Sequence, residues 1–425
     1  MIKKSIEYFV SSFNGCDNND GRSKAKAFSS ILKINEILKK EDIDIIHLEC
    51  DSVFNDQFLH IYNSNDITIK SYGKGKRPQI NCSGNGLWYQ DYRVQLDNVN
   101  HTNKGYVSSA ILLYDVSSVT IKNIAITNTP KFKECYSDPY KMCRTGISIV
   151  AQNNGIISNI SISDVVIKDV NGNVYDKHMN NGGIIFSVLK PFDESKTGIA
   201  KFDKITVENC YLSNVSRWGI SVGYTYNHNH FNSVNLLEEK IKKFSNENIL
   251  IRNNYVKNIG GDGITVMYAI KPLVENNICD TVAKDINDEI YKHPSGRGGM
   301  VAAGIWPWKC KDAVFRYNQG LNTRLNQDGM PWDADSGDGT IYEYNYSRLN
   351  EGGCVMFCLE ESVNNIFRNN ISYDDLVGTI SPAHNKDAVI ENNTFHKRKS
   401  TPLIRKGMDG GKYTLKDNLI IDLDD

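Results

Sequence analysis

The sequence predicts an all-β chain wound as a right-handed parallel β-helix, and three observations predict it. Gly-apolar phrases recur at coil length: Ala303-Gly304-Ile305, Asp328-Gly329-Met330 and Gly352-Gly353-Cys354 place their glycines 25 and then 24 residues apart. Asparagines keep a similar pitch, Asn318 to Asn345 after 27 residues and then Asn370, Asn393 and Asn418 after 25, 23 and 25. Short runs such as Val119 to Ile126 and Ala388 to Phe395 alternate apolar and polar residues and break at Asn, Asp or Gly, which is the period of a strand. Strands recurring every two dozen residues mean a solenoid with coils of about 23–25 residues, apolar side chains piled inside and asparagines piled at the turns. A leucine ladder is missing, which excludes a leucine-rich repeat.

The N-terminal elements read differently. Tyr8 to Ser11 is a strand, and Ala27 to Lys40 places Phe28, Ile31, Leu32, Ile34, Ile37 and Leu38 on one helical face. An open solenoid end exposes apolar core and strand edges, so this helix is expected to be a cap. Residues 1–50 form the strand and capping helix, and residues 51–425 the β-helix, whose first coil follows the strand Ile43 to Glu49.

A solenoid grows by adding coils, so 425 residues make one elongated domain. Net charge is -1 and the pI near 6.8, which gives nucleic acid no electrostatic footing. No apolar span long enough for a membrane occurs, and no leader is visible. The expected location is the cytoplasm, unless a leader has been removed. The ten cysteines show no CxxC pair and no metal spacing, so most are expected to be buried thiols.

The Gly-Ile phrase recurs upstream as Thr145-Gly146-Ile147, Gly182-Gly183-Ile184, Trp218-Gly219-Ile220 and Asp262-Gly263-Ile264. These spacings exceed one coil, so loops are inserted near 171–200, 224–248 and 284–299. Long loops over a rigid scaffold are where binding concentrates. The coils from Asn370 onward are plain and read as structural.

The chemistry concentrates between Ala302 and Cys358, which holds Trp306, Trp308 and Trp332, three of the five tryptophans. Hydrolysis of a glycosidic bond needs two carboxyl groups, and Asp262, Asp328, Asp333, Asp335 and Glu351 are the candidates. If Asp328 and Gly352 share a slot, Glu351 lies about one strand spacing, ~4.8 Å, from Asp328, near the ~5–5.5 Å of a retaining pair. The same alignment sets Asp262 and Asp328 roughly 9.6 Å apart, near the upper end for an inverting pair. Asp-Gly is ordinarily a turn, which is the plain reading of Asp262. Asp333 and Asp335 share a strand face as a solvated edge, a calcium site or groups that tune the acid. No metal is otherwise expected.

Trp306 and Trp308, alternating around a proline, suit stacking on sugar rings, with Lys309 beside them; Trp332 and Trp218 are further candidates, with core filling the alternative. Arg324 and His230 complete the expected substrate contacts. His228 and His230 would share a side if extended, but lack a third ligand nearby.

The phrases GGDGITVM, AAGIWPWKC, DGMPWDADSGDG and YEYNYSRLNEGG resemble right-handed parallel β-helix carbohydrate-active enzymes, including β-xylosidase-like glycoside hydrolases and pectate-lyase-like relatives. The opening YFVSSFNGCDNNDG followed by a helix is similar to the cap of many members. The resemblance implies a glycoside hydrolase acting on an oligo- or polysaccharide, with Asp328 as nucleophile and Glu351 as acid/base. The rival reading is a polysaccharide lyase or uronate epimerase, using Lys309, Arg297, Arg324, Arg217 or Arg348 with calcium at Asp333 and Asp335. A noncatalytic glycan-binding spike or adhesin is a third, weakened by the lack of a trimerising coiled coil.

Overall fold

The computed structural model describes residues 5–97, 99, 101–291 and 300–424. Three long sheets wind around a common core, with fourteen, twelve and eleven strands among the described residues, here sheets A, B and C. Each coil contributes successive strands to the three sheets and pairs in parallel with the coils on either side, giving a right-handed parallel β-helix. Arg297 and the second half of the third expected loop, residues 292–299, lie outside the described residues.

The core is a set of stacked side-chain columns, because successive strand residues alternate between faces. In sheet C the column runs Ile111, Ile147, Ile184, Ile220, Ile264, Ile305. From Ile147 onward these are the expected Gly-Ile slots. Beyond Ile305 the expected alignment slips. Ile305 stacks on Trp332, not Met330, and Trp332 on Val355, not Cys354. The cause is the bend before Trp332: Pro331 packs onto Gly304 so closely that a Cβ there would come 2.7 Å from the Pro331 Cα. The coil therefore spends two further residues before its strand begins.

Two ladders tie the coils together. From Asn254 through Asn277, Asn318, Asn345, Asn370, Asn393 and Asn418, each amide Nδ2 donates to the next Oδ1 at 2.9–3.2 Å. Each also donates to a strand carbonyl, as Asn318 does to Val274 at 2.9 Å, so these inner amides are satisfied. On the rim of sheet A, Arg252, Glu275, Arg316, Glu343, Arg368, Glu391 and Lys416 stand in register and alternate in charge.

The capping helix is shorter than expected, Ile31–Leu38. Phe28 is extended and bridges Val10, and Ser30 caps the helix by accepting from the Lys33 N–H. Tyr8, Val10, Phe28, Ile31 and Ile34 belong to the same apolar core as the coils. Of the cysteines, seven are buried, while Cys16 and Cys135 are exposed.

The inserted loops explain where a site can form. Central strands of sheet C, such as Cys143–Ala151 and Trp218–Thr225, are buried on both faces. Their outer face carries a second apolar cluster, in which Met179, Leu189, Phe231 and Leu236 from the loops meet Trp218, Tyr224, Tyr268 and Trp306. No described helix is long and apolar enough to cross a membrane. A cleft opens where this outer layer ends.

Candidate active site

The cleft, about 150 Å³, is lined by Asp97, His101, Lys177, Tyr224, Val301, Trp306, Trp308 and Asp335. Larger hollows exist, such as one of about 520 Å³ beside Tyr136 and Lys284, but its lining holds only one carboxylate, Asp169. Chemistry rather than size marks the small cleft.

Alternation on the strand Trp332–Asp335 sets the site's floor. Trp332 and Ala334 turn into the core, so Asp333 and Asp335 turn outward. The buried Tyr342 braces this strand from inside: its hydroxyl accepts from the Asp333 N–H at 3.2 Å, with the carbonyls of Ile305 and Asp333 also in reach at 3.2 and 3.0 Å. Asp335 stands in register with Trp308 on one neighbouring coil and Cys358 on the other.

Asp328 lies on the bend before that strand. Asn326 shapes the bend, accepting from the Asp328 and Ala302 N–H groups. Arg405, from a later coil, clamps it: Nη1 donates to the carbonyls of Asp328 and Gly352 at 3.0 and 3.1 Å, and Nη2 to Gln327 at 3.2 Å. The expectation that the C-terminal coils are only structural is corrected at this residue.

The two carboxyl groups have unlike surroundings. Burial pushes Asp328 up to about 7, with Asp335 and Asp262 adding to the rise and Lys177 and Arg405 opposing it. Burial also raises Asp335, to about 6, but Ser336 donates to it at 2.6 Å and Lys177 and Lys309 hold its charge. Asp333 is buried deeper, and that burial together with Asp335 and Asp328 keeps its carboxyl well above the ordinary range. Such spreading of neighbouring carboxyls separates a proton donor from an ionised partner.

Lys177 comes from the first inserted loop. It is buried over the indoles of Trp218 and Trp306, 5.8 and 5.9 Å from their centroids. Burial lowers its pKa, opposed chiefly by Asp262. On the opposite wall Asp97 meets His178 Nε2 at 3.1 Å; burial raises the Asp97 carboxyl, but His178 and nearby cations pull it below the usual range. Tyr224 packs edge-on to both His178 and Trp308. The loop near Tyr175 to Asn180 was expected, but nothing in its composition pointed to Lys177.

Several expected site residues lie elsewhere. Glu351 does not face Asp328 across the cleft: it pairs with Arg324 at 2.6 Å and accepts from the Leu325 N–H. The chain keeps both groups on the outer bend, where Arg324 is exposed. Asp262 is fully buried, paired with Arg217 at 3.2 Å and accepting from the Ala303 N–H and Trp306 Nε1. That engagement removes the inverting pair. Trp332 is a core residue, and Trp218 is buried with its indole N–H on the Lys177 carbonyl. His230 is exposed and stacks on Phe244 at 3.5 Å, whereas His228 turns to the Gln95 carbonyl, so the two imidazoles do not converge. Trp308 and Trp306 do line the cleft, and Lys309 reaches across to Asn232.

The cationic row of a lyase is not assembled either. Arg217 is spent on Asp262, Arg324 on Glu351, and Arg348 lies over Tyr373. Among the described residues no group of three or more His, Cys, Asp or Glu could hold a metal ion.

Fold and site together define the chain as a right-handed parallel β-helix protein with a cleft walled by tryptophans and carboxylates. Comparison with known proteins narrows this. No family model matches the sequence. A lacto-N-biosidase of Bifidobacterium longum subsp. longum is 39% identical over 446 residues, covering 94% of this chain. The crystal structure of a GH136 lacto-N-biosidase from Eubacterium ramulus is 51% identical with a TM-score of 0.95, covering 98% of this chain and 68% of that one. Its selenomethionine derivative superposes equally well, at 50% identity. The chain belongs to the GH136 lacto-N-biosidase family. It spans only 28% of the length of the bifidobacterial relative. The resemblance to β-helix glycoside hydrolases therefore holds, while the β-xylosidase-like and pectate-lyase-like assignment is corrected to GH136.

Proposed function

We propose that this chain is a glycoside hydrolase that releases a lacto-N-biose unit from an oligosaccharide, with Asp328 as acid/base and Asp335 as nucleophile. One observation carries the assignment of roles: Asp335 lines the cleft and Asp328 sits on the bend before its strand, with Asp328 raised to about 7 and Asp335 held lower by Ser336, Lys177 and Lys309. Protonated Asp328 gives its proton to the glycosidic oxygen while ionised Asp335 attacks the anomeric carbon, forming a glycosyl-enzyme. Asp328 then takes a proton from the water that releases the sugar, and both groups return to their starting states. The charge of Asp335 adds to the rise of Asp328, as expected of two carboxyls that share one reaction. Glu351, tied to Arg324, has no part in this reading. Burial favours the neutral form of Asp333, which keeps a second negative charge away from Asp335. Trp308 offers its partly buried ring to the sugar, and Asp97 and Lys309 take hydroxyls. The substrate follows from the names of the two relatives, both lacto-N-biosidases.

The test is release of nitrophenol from a nitrophenyl lacto-N-bioside by the wild type, Asp328→Asn and Asp335→Asn. Each substitution is expected to lower turnover by at least about 10²–10⁴-fold. Full turnover in either variant overturns the roles, and failure of the wild type on this substrate while a uronate polymer yields an unsaturated product overturns the reaction class.

A further inference from the structure

A second feature lies away from the cleft, at the corner between sheets A and B, opposite sheet C in the three-sided coil. One turn position there is left-handed in ten successive coils. Asn123, Asp164, Asn209, Asn253, Asn276, Asn369, Asn392 and Asp417 take it in eight of them, with φ between 51° and 57°. These residue types tolerate that conformation because their short polar side chains bond locally. In the two remaining coils, which are adjacent, the position is Tyr317 (φ 56°) and Tyr344 (φ 58°). Their backbone N–H groups donate to the Glu343 and Arg368 carbonyls, the same ladder that Asn276 makes to Arg316 and Asn369 to Glu391.

A bulky aromatic residue in this region is strained, and it persists because the ladder bonds and the surrounding coils hold it. The rings stack on each other at 5.3 Å with 12° between planes, and each is about half exposed, 51% and 48%. Beside them run the alternating charges of the sheet A rim, Arg316 paired with Glu275 and Arg368 with Glu343, both at distances under 3 Å. Arg316 also lies 5.8 Å from the Tyr317 centroid.

We propose that Tyr317 and Tyr344 form a second carbohydrate-binding platform, taking one or two pyranose rings of a neutral glycan. Exposed aromatic faces suit the apolar face of a pyranose, and the flanking Arg and Glu offer donors and acceptors to its hydroxyls. The paired charges cancel along the rim, so an anionic ligand gains little there. Two rings flanked by asparagine turns are too small a patch for a stable protein interface. Such a platform would hold the chain on a glycan surface while the cleft works independently.

The test uses protein labelled with 13C in its tyrosine rings and carrying Asp335→Asn, so that no ligand is consumed. Lactose and lacto-N-biose are titrated in parallel with a polygalacturonate oligomer, and the Tyr317 and Tyr344 signals are assigned with the single Tyr317→Asn and Tyr344→Asn variants. Asparagine is the residue of the neighbouring coils, so both variants are expected to fold with unchanged or higher Tm. Saturating shifts of these two signals by a neutral disaccharide, with Kd on the order of 1 mM and lost at least about tenfold in the double variant, support the platform. No shift, an equal shift in signals of other tyrosines only, or tighter response to polygalacturonate overturns it. The double variant with Asp335 intact is expected to keep wild-type kcat/KM on the nitrophenyl lacto-N-bioside. That readout separates failure of the platform from failure of the hydrolase reading, because the titration needs no turnover.

Discussion

Arg217 Nη2 lies 3.2 Å from Asp262 Oδ2, and neither side chain reaches solvent. The pair holds the cleft wall, because the same aspartate accepts from the Trp306 indole and the Ala303 N–H. Breaking a buried pair leaves one charge without compensation, at a cost of about 3–5 kcal/mol. Asp262→Asn is therefore expected to lower stability by that order in denaturant melts followed by tryptophan fluorescence. Replacing both residues by apolar ones should recover much of the loss.

The pH profile follows from the two carboxyl groups. Activity needs Asp335 ionised, so kcat/KM falls as pH drops through about 6, and it needs Asp328 protonated, so it falls again as pH rises through about 7. A narrow bell centred between these values is the expected outcome. Lys177 favours the charged form of both groups, so Lys177→Met should move the whole bell to higher pH. A bell that stays in place would remove Lys177 from the electrostatics of the site.

Arg405 touches no part of the cleft, yet its guanidinium fork holds the carbonyls on either side of the Asp328 bend. Arg405→Ala should leave substrate binding nearly intact and lower kcat, by as much as about 10²-fold if the acid shifts by an ångström. Arg405→Lys cannot reproduce the fork and should recover little. A rise confined to KM would argue for a different role.

Asp375 links pH to stability far from the cleft. Burial raises it to about 6 against hydrogen bonds from Ser347, Ser372 and Asn350. Its folded pKa exceeds the unfolded value, so the native state binds the extra proton between the two. This contribution is complete below the unfolded pKa and is lost as pH rises through about 6. Asp375→Asn, which repeats the amide found elsewhere in the turns, should gain up to about 3 kcal/mol relative to wild type between about pH 4 and pH 8. Parallel Tm curves for the two proteins would defeat this.

Most of the scaffold was legible because it is written locally. Ile147, Ile184, Ile220, Ile264 and Ile305 announce their stacking by their glycines, and the asparagines announce theirs by spacing. The register failed at Pro331, where a bend of two residues carries no periodic mark and shifts Trp332 into the slot given to Met330. Gly352 does pack on Asp328 as its slot implied, but the neighbouring Glu351 turns to Arg324 and the Leu325 N–H, a choice that no spacing announces. Lys177, Asp97 and Arg405 were hidden for another reason: they reach the site from separate loops and a distant coil, and no sequence spacing encodes such meetings.

The asparagine ladder has one further consequence, in the order of assembly. Each rung from Asn254 to Asn393 gives its amide and backbone N–H to an oxygen supplied by the coil that follows it, as Asn277 does to Asn318 and Asn370 to Asn393. Each amide also reaches back to a carbonyl of the coil before it, as Asn318 does to Val274, but its backbone N–H is met by the successor. Growth from the N-terminal side always presents an unsaturated edge asking for the next turn, while loss of a terminal coil reopens the one before it. The solenoid therefore has a grain, and unwinding from its C-terminal end runs with that grain one rung at a time.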